Sequence, residues 1–241
     1  MSTSNLPHSA ITLEDVATVS PALAKYTQES IINGVWKRPE LSVHDRSIVT
    51  LSALIVRNQT IGMQHYFNAA LDNGVTPSEI SEIITHVAFY SGWSNAFSAI
   101  AIVKDIFAQR GIGIDQLPSA TPELLSLAQA VPDEAIRVAF TQQNFSPVVP
   151  GLVQITDDLL YHDVWLRPGL APRDRNLVTI SALVAAGQTT FLPFYLNRAV
   201  LMGVTQAQVS EMLTHLAFYA GWPIVLSAVS TVKDFFASTS N

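Results

Sequence analysis

The sequence contains no cysteine among its 241 residues. Disulfide bonds, thiolate nucleophiles, iron–sulfur clusters and zinc sites with sulfur ligands are therefore excluded from these residues. Charged side chains are also scarce, because Asp, Glu, Lys and Arg make up 13% of the chain against about 25% in an average soluble protein. With 49% apolar residues and a mean hydropathy of +0.29, the chain has more apolar surface than one molecule of this size readily buries. We therefore expect a homo-oligomer that buries the surplus between subunits.

Basic segments and long apolar segments are missing as well. Thirteen Lys and Arg stand against nineteen Asp and Glu, which gives a net charge of −6 without any basic run. This composition argues against nucleic acid or an anionic membrane as a partner. No stretch of about 18 residues is uninterruptedly apolar, so no transmembrane helix is expected. Met1–Ala10 is polar and the first basic residue is Lys25, a pattern unlike that of a signal or transit peptide, and we expect a cytoplasmic protein.

The sequence is an internal duplication. Aligned with itself at an offset of 129 residues, it matches without a gap. The segment VWKRPELSVHDRSIVTLSAL from Val35 falls on VWLRPGLAPRDRNLVTISAL from Val164, and roughly half of the paired positions are identical from Trp36 onward. We predict four regions, namely an N-terminal tail over 1–20, a first repeat over 21–110, a connector over 111–149 and a second repeat over 150–241.

Each repeat is predicted to be all-helical. Ser42 and Thr76 are N-cap residues, each followed by an acid three positions later, and Gly74 and Gly92 are helix-ending glycines. Apolar residues between these signals recur at three- and four-residue spacing, and no strand-like alternation occurs. The expected fold class is all-α, with first-repeat helices at about 45–57, 63–73, 77–91 and 94–107 and short connector helices near 122–130 and 133–145.

Four motifs recur in both repeats: W-x-R-P-x-L, D-R-x-x-V-T-x-S-A-L, a G-V-T helix start and T-H-x-A-F-Y-x-G-W. Together they resemble the carboxymuconolactone decarboxylase family of the alkylhydroperoxidase-like superfamily over most of the chain. The resemblance implies an all-α fold of interlocked helices. For a chain with two repeats it implies a homotrimer of six units, with sites at the unit interfaces.

The resemblance also indicates where the family's active groups would fall. Redox members carry C-x-x-C-x-x-x-H at the start of the second helix, and this chain has no such cysteine, so thiol peroxidase activity is excluded. Decarboxylase-type members usually keep a glutamate near Gly62 and a histidine at Tyr66, whereas His65 here lies one residue early. The positions of the redox motif are occupied by Gln59, Gly62 and Tyr66 in the first repeat and by Gln188, Phe191 and Tyr195 in the second.

A polar stripe on the third helix of each repeat is the first candidate for chemistry. A carboxylate one turn from an imidazole can fix its tautomer and raise its basicity, as a general base requires. The same histidines can equally be buried structural groups that hold helices together. A metal site is not expected, since E-x-x-x-H supplies two ligands and no third is evident. The stripe consists of Glu82, His86, Tyr90 and Trp93, repeated as Glu211, His215, Tyr219 and Trp222.

Two arginines are the second candidate. Arg46 and Arg175 each lie in the first turn of a helix, and a guanidinium binds carboxylates in a bidentate way. Either arginine could anchor an organic-acid substrate. The favoured alternative is a structural ion pair with Glu82 or Glu211.

The third candidate is the pocket expected beside the second helix of each repeat. The first pocket is polar, and His65 and Tyr66 are its candidate acid–base groups, with Gln59 as a substrate-binding amide. The second pocket is almost entirely apolar. Its candidate residues are Gln188, Phe191, Phe194 and Tyr195, with the tyrosine as a hydroxyl donor.

Three functions remain open from sequence alone. The first is a cofactor-free enzyme that acts on a small organic acid or lactone by proton transfer or decarboxylation. The second is an isomerase or cyclase that holds a more apolar metabolite in a reactive shape. The third is a non-catalytic ligand-binding or assembly protein on the same fold. No glycine-rich phosphate loop or dinucleotide motif is present, so no cofactor is expected.

Overall fold

A computed structural model describes residues 11–239, which contain helices and no β-strand. The predicted all-α fold, built from a duplicated unit, is confirmed. Two π-helical turns, Thr27–Ile32 and Thr156–Tyr161, and three short 3₁₀ turns, Val35–Lys37, Ile114–Gln116 and Val164–Leu166, complete the chain. The α-helices are α1 Leu13–Val19, α2 Pro21–Tyr26, α3 Val43–Val56, α4 Thr60–Asp72, α5 Pro77–Ser91, α6 Trp93–Gln109, α7 Leu127–Ala130, α8 Glu134–Asn144, α9 Pro150–Ile155, α10 Pro172–Ala185, α11 Leu192–Leu201, α12 Gln206–Ala220 and α13 Trp222–Thr239.

The capping signals act largely as the sequence predicts. Thr76 accepts from the backbone N–H of Glu79 while Glu79 accepts from the Thr76 N–H, so the capping box of α5 is complete. At α3, Ser42 accepts from the Asp45 N–H at 3.0 Å. The Asp45 carboxylate does not return this bond, because it is held by Arg173 at 2.8 Å and 3.0 Å.

The two repeats interlock around a central helix pair. Helices α3 and α10 pack side by side, and every residue of α3 from Asp45 to Ile55 is buried. Helix α5 of the first repeat packs on α10, and α12 of the second repeat packs on α3. Helix α3 and its counterpart α10 therefore form the centre of the fold. The third helix of each repeat therefore contacts the first helix of the other, which brings motif residues of both repeats together.

The structure differs from the sequence prediction in three places. Part of the predicted tail is helical, because Thr12 and Asp15 form a capping box for α1; residues 1–10 of that tail and residues 240–241 lie outside the described residues. Helix α4 begins at Thr60, earlier than expected. The first connector helix is only Leu127–Ala130, since the Leu125 N–H donates to the Leu166 carbonyl at 2.8 Å and keeps the preceding residues extended.

No helix within residues 11–239 is long and apolar enough to cross a bilayer.

Candidate active site

Two buried ion pairs join the repeats. Arg46 on α3 donates to Glu211 on α12 at 2.9 Å, and Arg175 on α10 donates to Glu82 on α5 at 2.7 Å. None of the four side chains is more than 2% exposed. Each pair therefore connects a first helix to a third helix across the repeat boundary, and breaking one would strand a charge inside the protein.

Both arginines have further bonds that fix them as structural groups. The Nη2 of Arg46 also donates to the carbonyl of Arg38 at 2.8 Å, and that of Arg175 donates to the carbonyl of Arg167 at 2.7 Å. Neither Arg46 nor Arg175 lines either of the pockets described below. The geometry favours the structural ion pair over the substrate anchor.

The hydrogen bonds of the two third-helix histidines determine their tautomer. The hydroxyl of Thr50 donates to the Arg46 carbonyl, so the Nε2–H of His215 donates to the Thr50 oxygen at 2.7 Å. A guanidinium can only donate, so the Nδ1 of His215 accepts from Arg46 at 3.4 Å. His86 repeats the arrangement with Thr179 at 2.8 Å and with the α10 arginine at 3.5 Å. Both nitrogens of each ring are thus occupied.

The electrostatics agree with these bonds. Burial, with help from the Arg46 charge, lowers the pKa of His215 to about 3. Burial, together with the charges of Arg175 and Arg198, holds the pKa of His86 well below its ordinary value. Both rings are neutral near pH 7 and have no free nitrogen for a substrate, which favours the structural role left open by the sequence. Within residues 11–239, no three His, Asp or Glu side chains form a group able to hold a metal ion.

A chain of hydrogen-bond donors leads into a pocket of the first repeat. The indole N–H of Trp36 donates to the hydroxyl of Tyr219 at 2.7 Å, and Tyr219 donates to the hydroxyl of Tyr66 at 3.1 Å. Burial raises the pKa of both tyrosines. Because both hydroxyls stay protonated near neutral pH, Tyr66 ends the chain as a donor and not as a base.

The second repeat has an equivalent chain with one more member. Trp165 donates to Tyr90 at 3.1 Å, and Tyr90 donates to Tyr195 at 3.3 Å. The hydroxyls of Tyr195 and Tyr161 lie 3.0 Å apart. Burial raises the pKa of Tyr90 and holds that of Tyr195 well above its ordinary value. Aligned donors of this kind can hold an oxygen atom that gains negative charge during a reaction.

The first pocket has a volume of about 530 Å³ and lies beside α4, with α1 contributing part of its wall. His65 and Tyr66 line it, and their rings pack edge-on with centroids 4.9 Å apart. Asn73 adds an amide, and no Asp, Glu, Lys or Arg within residues 11–239 is among the lining residues. The structure therefore brings together the acid–base candidates of the first repeat in an uncharged pocket, and His65 is exposed at its rim.

The second pocket occupies the same place in the second repeat. Its volume is about 460 Å³, and Tyr195 and Phe194 take the positions of Tyr66 and His65. Helix α8 of the connector takes the place of α1 and supplies Arg137, which is the one charged residue among the described residues of the lining. Phe191, another predicted residue, also lines this pocket, whose wall is otherwise mostly aromatic and aliphatic.

Other predicted binding residues lie elsewhere. Gln59 and Gln188 lie in the turns that follow α3 and α10, and neither lines either pocket. Trp93 and Trp222 are half exposed at the start of α6 and α13. Trp222 lines a wider groove of about 840 Å³ that contains none of the tyrosines of the two donor chains. The residues of each predicted stripe therefore do not form one site, because the tryptophan is half exposed and the histidine is buried.

Two segments of the chain, residues 21–105 and 150–234, match the family model described as the carboxymuconolactone decarboxylase family. They cover well over half of the sequence. The chain belongs to this family. Both donor chains lie within the matched segments, whereas α1 and α8, which border the two pockets, lie outside them.

Two curated members of the decarboxylase group are similar to parts of the chain. A 4-carboxymuconolactone decarboxylase from Acinetobacter baylyi is 31% identical over 83 residues, which cover 34% of this chain and 62% of that protein. The nitrosuccinic acid decarboxylase npaB from Metarhizium robertsii is 33% identical over 70 residues, which cover 29% of this chain and 49% of that protein. The matched part of the chain thus spans less than two thirds of the length of either relative.

Three residues beside the second pocket were not predicted from the sequence. Tyr161 stands where the first repeat has Ile32, and Arg198 stands where it has Ala69. Arg198 is fully buried, donates to Asp133 at 2.7 Å and lies 4.6 Å from the Trp165 ring. Both positions could have been found from the sequence, because in each a polar residue of the second repeat aligns with an apolar residue of the first. The third, the arginine of α8, lies outside the duplicated segments and carried no such signal.

Proposed function

We propose that the chain is a cofactor-free, decarboxylase-like lyase that acts on a small organic acid or lactone in the first pocket. The observation that carries this proposal is the donor chain that ends at Tyr66, next to the imidazole of His65. Family membership and the decarboxylase names of the two relatives support the reaction class.

The proposed reaction divides the work between these two residues. Loss of CO2 breaks the bond to the carboxylate carbon, and the electron pair moves onto a neighbouring carbonyl to form an enolate. The Tyr66 hydroxyl donates to the enolate oxygen, with Tyr219 and Trp36 behind it. His65 then acts as the general acid that delivers a proton to the carbon, and its exposure connects it to solvent.

The direct test is an assay with 4-carboxymuconolactone and related lactones that follows CO2 release and product mass. We expect turnover by the wild type and a loss of about 10²-fold or more in kcat for His65→Gln, because a positioned proton donor contributes that much. His162→Gln is the matched control, since His162 is exposed and lines neither pocket. A folded wild type without turnover would contradict the proposal, and tight binding without turnover would favour a non-catalytic binding protein.

A second candidate function is favoured by the apolar lining of the second pocket. There the chain would be an isomerase or cyclase that holds an apolar metabolite in a reactive conformation. Tyr195 would donate to the substrate, whereas Gln188 lies outside the pocket. Tyr195→Phe should lower such turnover and Gln188→Ala should not. Equal turnover of the wild type and both variants would exclude this pocket.

We also propose that the protein is a homotrimer, a pseudo-hexamer of repeats. Helices α6 and α13 each expose an apolar stripe at equivalent positions, and such surface is rarely left open in a monomer. Sedimentation of a monomer at micromolar concentration would contradict the trimer. The cytoplasmic location predicted from the sequence stays a prediction. The two stripes consist of Trp93, Phe97 and Ile100 on α6 and Trp222, Leu226 and Val229 on α13.

A further inference from the structure

The guanidinium of Arg137 in the second pocket has one nitrogen without a partner. Its Nε and Nη2 donate to Glu134 at 2.7 Å, and Nη2 also donates to Asp157 at 2.7 Å. Its Nη1 is buried and makes no hydrogen bond to any residue within the described range 11–239. The side chain is only 3% exposed. A buried donor on a charged group is costly to leave unpaired, so an acceptor is expected at this position.

The surroundings of Arg137 hold it rigidly against the pocket. Its central carbon lies 3.9 Å from the centroid of the Tyr161 ring, and both residues line the cavity. The Tyr161 hydroxyl lies 3.0 Å from that of Tyr195, which also lines the cavity. Among the described residues, the rest of the wall is aromatic or aliphatic apart from three threonines. The pocket therefore combines an apolar body with a few convergent donors, which is the usual composition of a small-molecule site.

The charges around the pocket favour a neutral acceptor over a carboxylate. Arg137 and Arg198 are the nearby cations, and they are already bonded to three carboxylates, those of Asp133, Glu134 and Asp157. A ligand carboxylate would be the fourth negative charge beside only two arginine cations, and like charges at short range repel one another. A carbonyl oxygen accepts from the same N–H without adding charge.

We propose that the second pocket is a binding site for a neutral carbonyl compound with an apolar ring, a lactone or a ketone, whose carbonyl oxygen accepts from Nη1 of Arg137. The volume of about 460 Å³ suits a small ligand of this class. The described residues that line the first pocket include no Lys or Arg, so the preference is assigned to the second pocket. The inference does not depend on the reaction proposed for the first pocket.

The test is isothermal titration calorimetry of the full chain with two probes that share one carbon skeleton. γ-Phenyl-γ-butyrolactone presents a neutral carbonyl, and its ring-opened form, 4-hydroxy-4-phenylbutanoate, presents a carboxylate. We expect the lactone to bind at least about 10-fold more tightly than the open acid. Arg137→Lys should weaken lactone binding by about 10-fold or more, which corresponds to one hydrogen bond from a charged donor. Arg110→Lys, at an exposed ion pair, should leave it unchanged.

A second pair of variants locates the site without touching the arginine. Leu152 is exposed at the edge of the pocket, and Leu23 is its counterpart in the first repeat. Leu152→Trp should block lactone binding and Leu23→Trp should not. This pair keeps the test valid even when Arg137→Lys fails to fold.

Three results would overturn the inference: no lactone binding, tighter binding of the open acid, or unchanged lactone affinity in Arg137→Lys. Binding is measured without turnover. A wild type that binds the lactone but releases no CO2 from 4-carboxymuconolactone would keep this inference and overturn the proposed lyase. A wild type that releases CO2 but does not bind the lactone would do the reverse.

Discussion

His86 and His215 each bond both ring nitrogens to the opposite repeat. The Nε2–H donates to a threonine and the Nδ1 accepts from an arginine, so only the neutral ring fits. Protonation would place a second proton against a guanidinium inside the protein. Because these contacts occupy both ring nitrogens, the two histidines cannot act as general bases. The same contacts require the neutral ring, so the folded state should lose stability in acid.

The stability of the protein should therefore fall as the pH drops below about 6.5. The folded pKa of His215 is lowered to about 3, so its contribution is complete above the unfolded value of about 6.5 and is lost toward pH 3. Each pH unit in that window costs about 1.4 kcal/mol for this residue. Urea denaturation between pH 7 and pH 5 measures the slope. His215→Gln should lower this slope without abolishing it, because burial also holds the pKa of His86 well below its ordinary value. His162→Gln should not lower the slope, and an unchanged slope in His215→Gln would contradict the assigned role of His215.

Removing one carboxylate of the buried ion pairs should be strongly destabilising. Glu82→Gln leaves Arg175 buried without a counter-charge, which costs about 3–5 kcal/mol of unfolding free energy. The matched control is Glu29→Gln, whose partner Lys25 is exposed, and little change is expected there. Thermal or urea unfolding distinguishes the two, and equal stabilities would show that the buried pair is not needed.

At the scale of elements, α1 and α8 perform the same task from different parts of the chain. Each borders a pocket beside the second helix of a repeat, and both lie outside the segments that match the family. Helix α8 is anchored by Asp133, its N-cap residue, which accepts from the buried Arg198. Within the described part of the chain, no ion pair joins α1 to another helix, and its acid Asp15 caps its own first turn.

Breaking the ion pair between Asp133 and Arg198 should make α8 open more often and leave α1 unchanged. Asp133→Asn removes the charge that pairs with Arg198, so amide protection along α8 should fall by about 10-fold or more, as for a lost charged hydrogen bond. Hydrogen exchange read by mass spectrometry reports both helices in one experiment. Equal protection of α8 in the variant and the wild type would show that the ion pair does not hold the helix.

At the scale of the whole molecule, each repeat completes the other. Helix α3 packs on α10 and α12, and α5 packs on α10, so the repeats share one core. The end of the connector lies at the surface, where Pro147 and Val148 are exposed.

A cut in the connector should therefore not separate the halves. A protease site inserted after Pro147 should yield two fragments that elute together in size-exclusion chromatography and part only in denaturant. The intact insertion variant is the control. Fragments that separate under native conditions would show that the repeats are independent domains.

The sequence was most informative where the signal was local. The Thr76 capping box, the Gly92 helix end and the apolar spacing of α5 depend on neighbouring residues, and all were predictable. The spacing of Glu82 and His86 shows that they share one face of a helix, but it does not show which other helix packs against that face. The pairing of Glu82 with Arg175 on α10 was therefore predicted only as one of the possible ion pairs, and the contact of His86 with Thr179 could not be derived. Arg137 comes from a connector without a repeated counterpart, so comparing the two repeats could not reveal it.

The hydrogen-bond chain that ends at Tyr66 is proposed to stabilise a reacting oxygen in the first pocket. Steady-state CO2 release from 4-carboxymuconolactone by Tyr66→Phe and Tyr195→Phe provides the test, because the two residues are equivalent in the two repeats. We predict that Tyr66→Phe lowers kcat by about 10²-fold or more, as for the loss of an oxyanion donor, and that Tyr195→Phe changes it little. Full activity in Tyr66→Phe, with or without a loss in Tyr195→Phe, would contradict the claim.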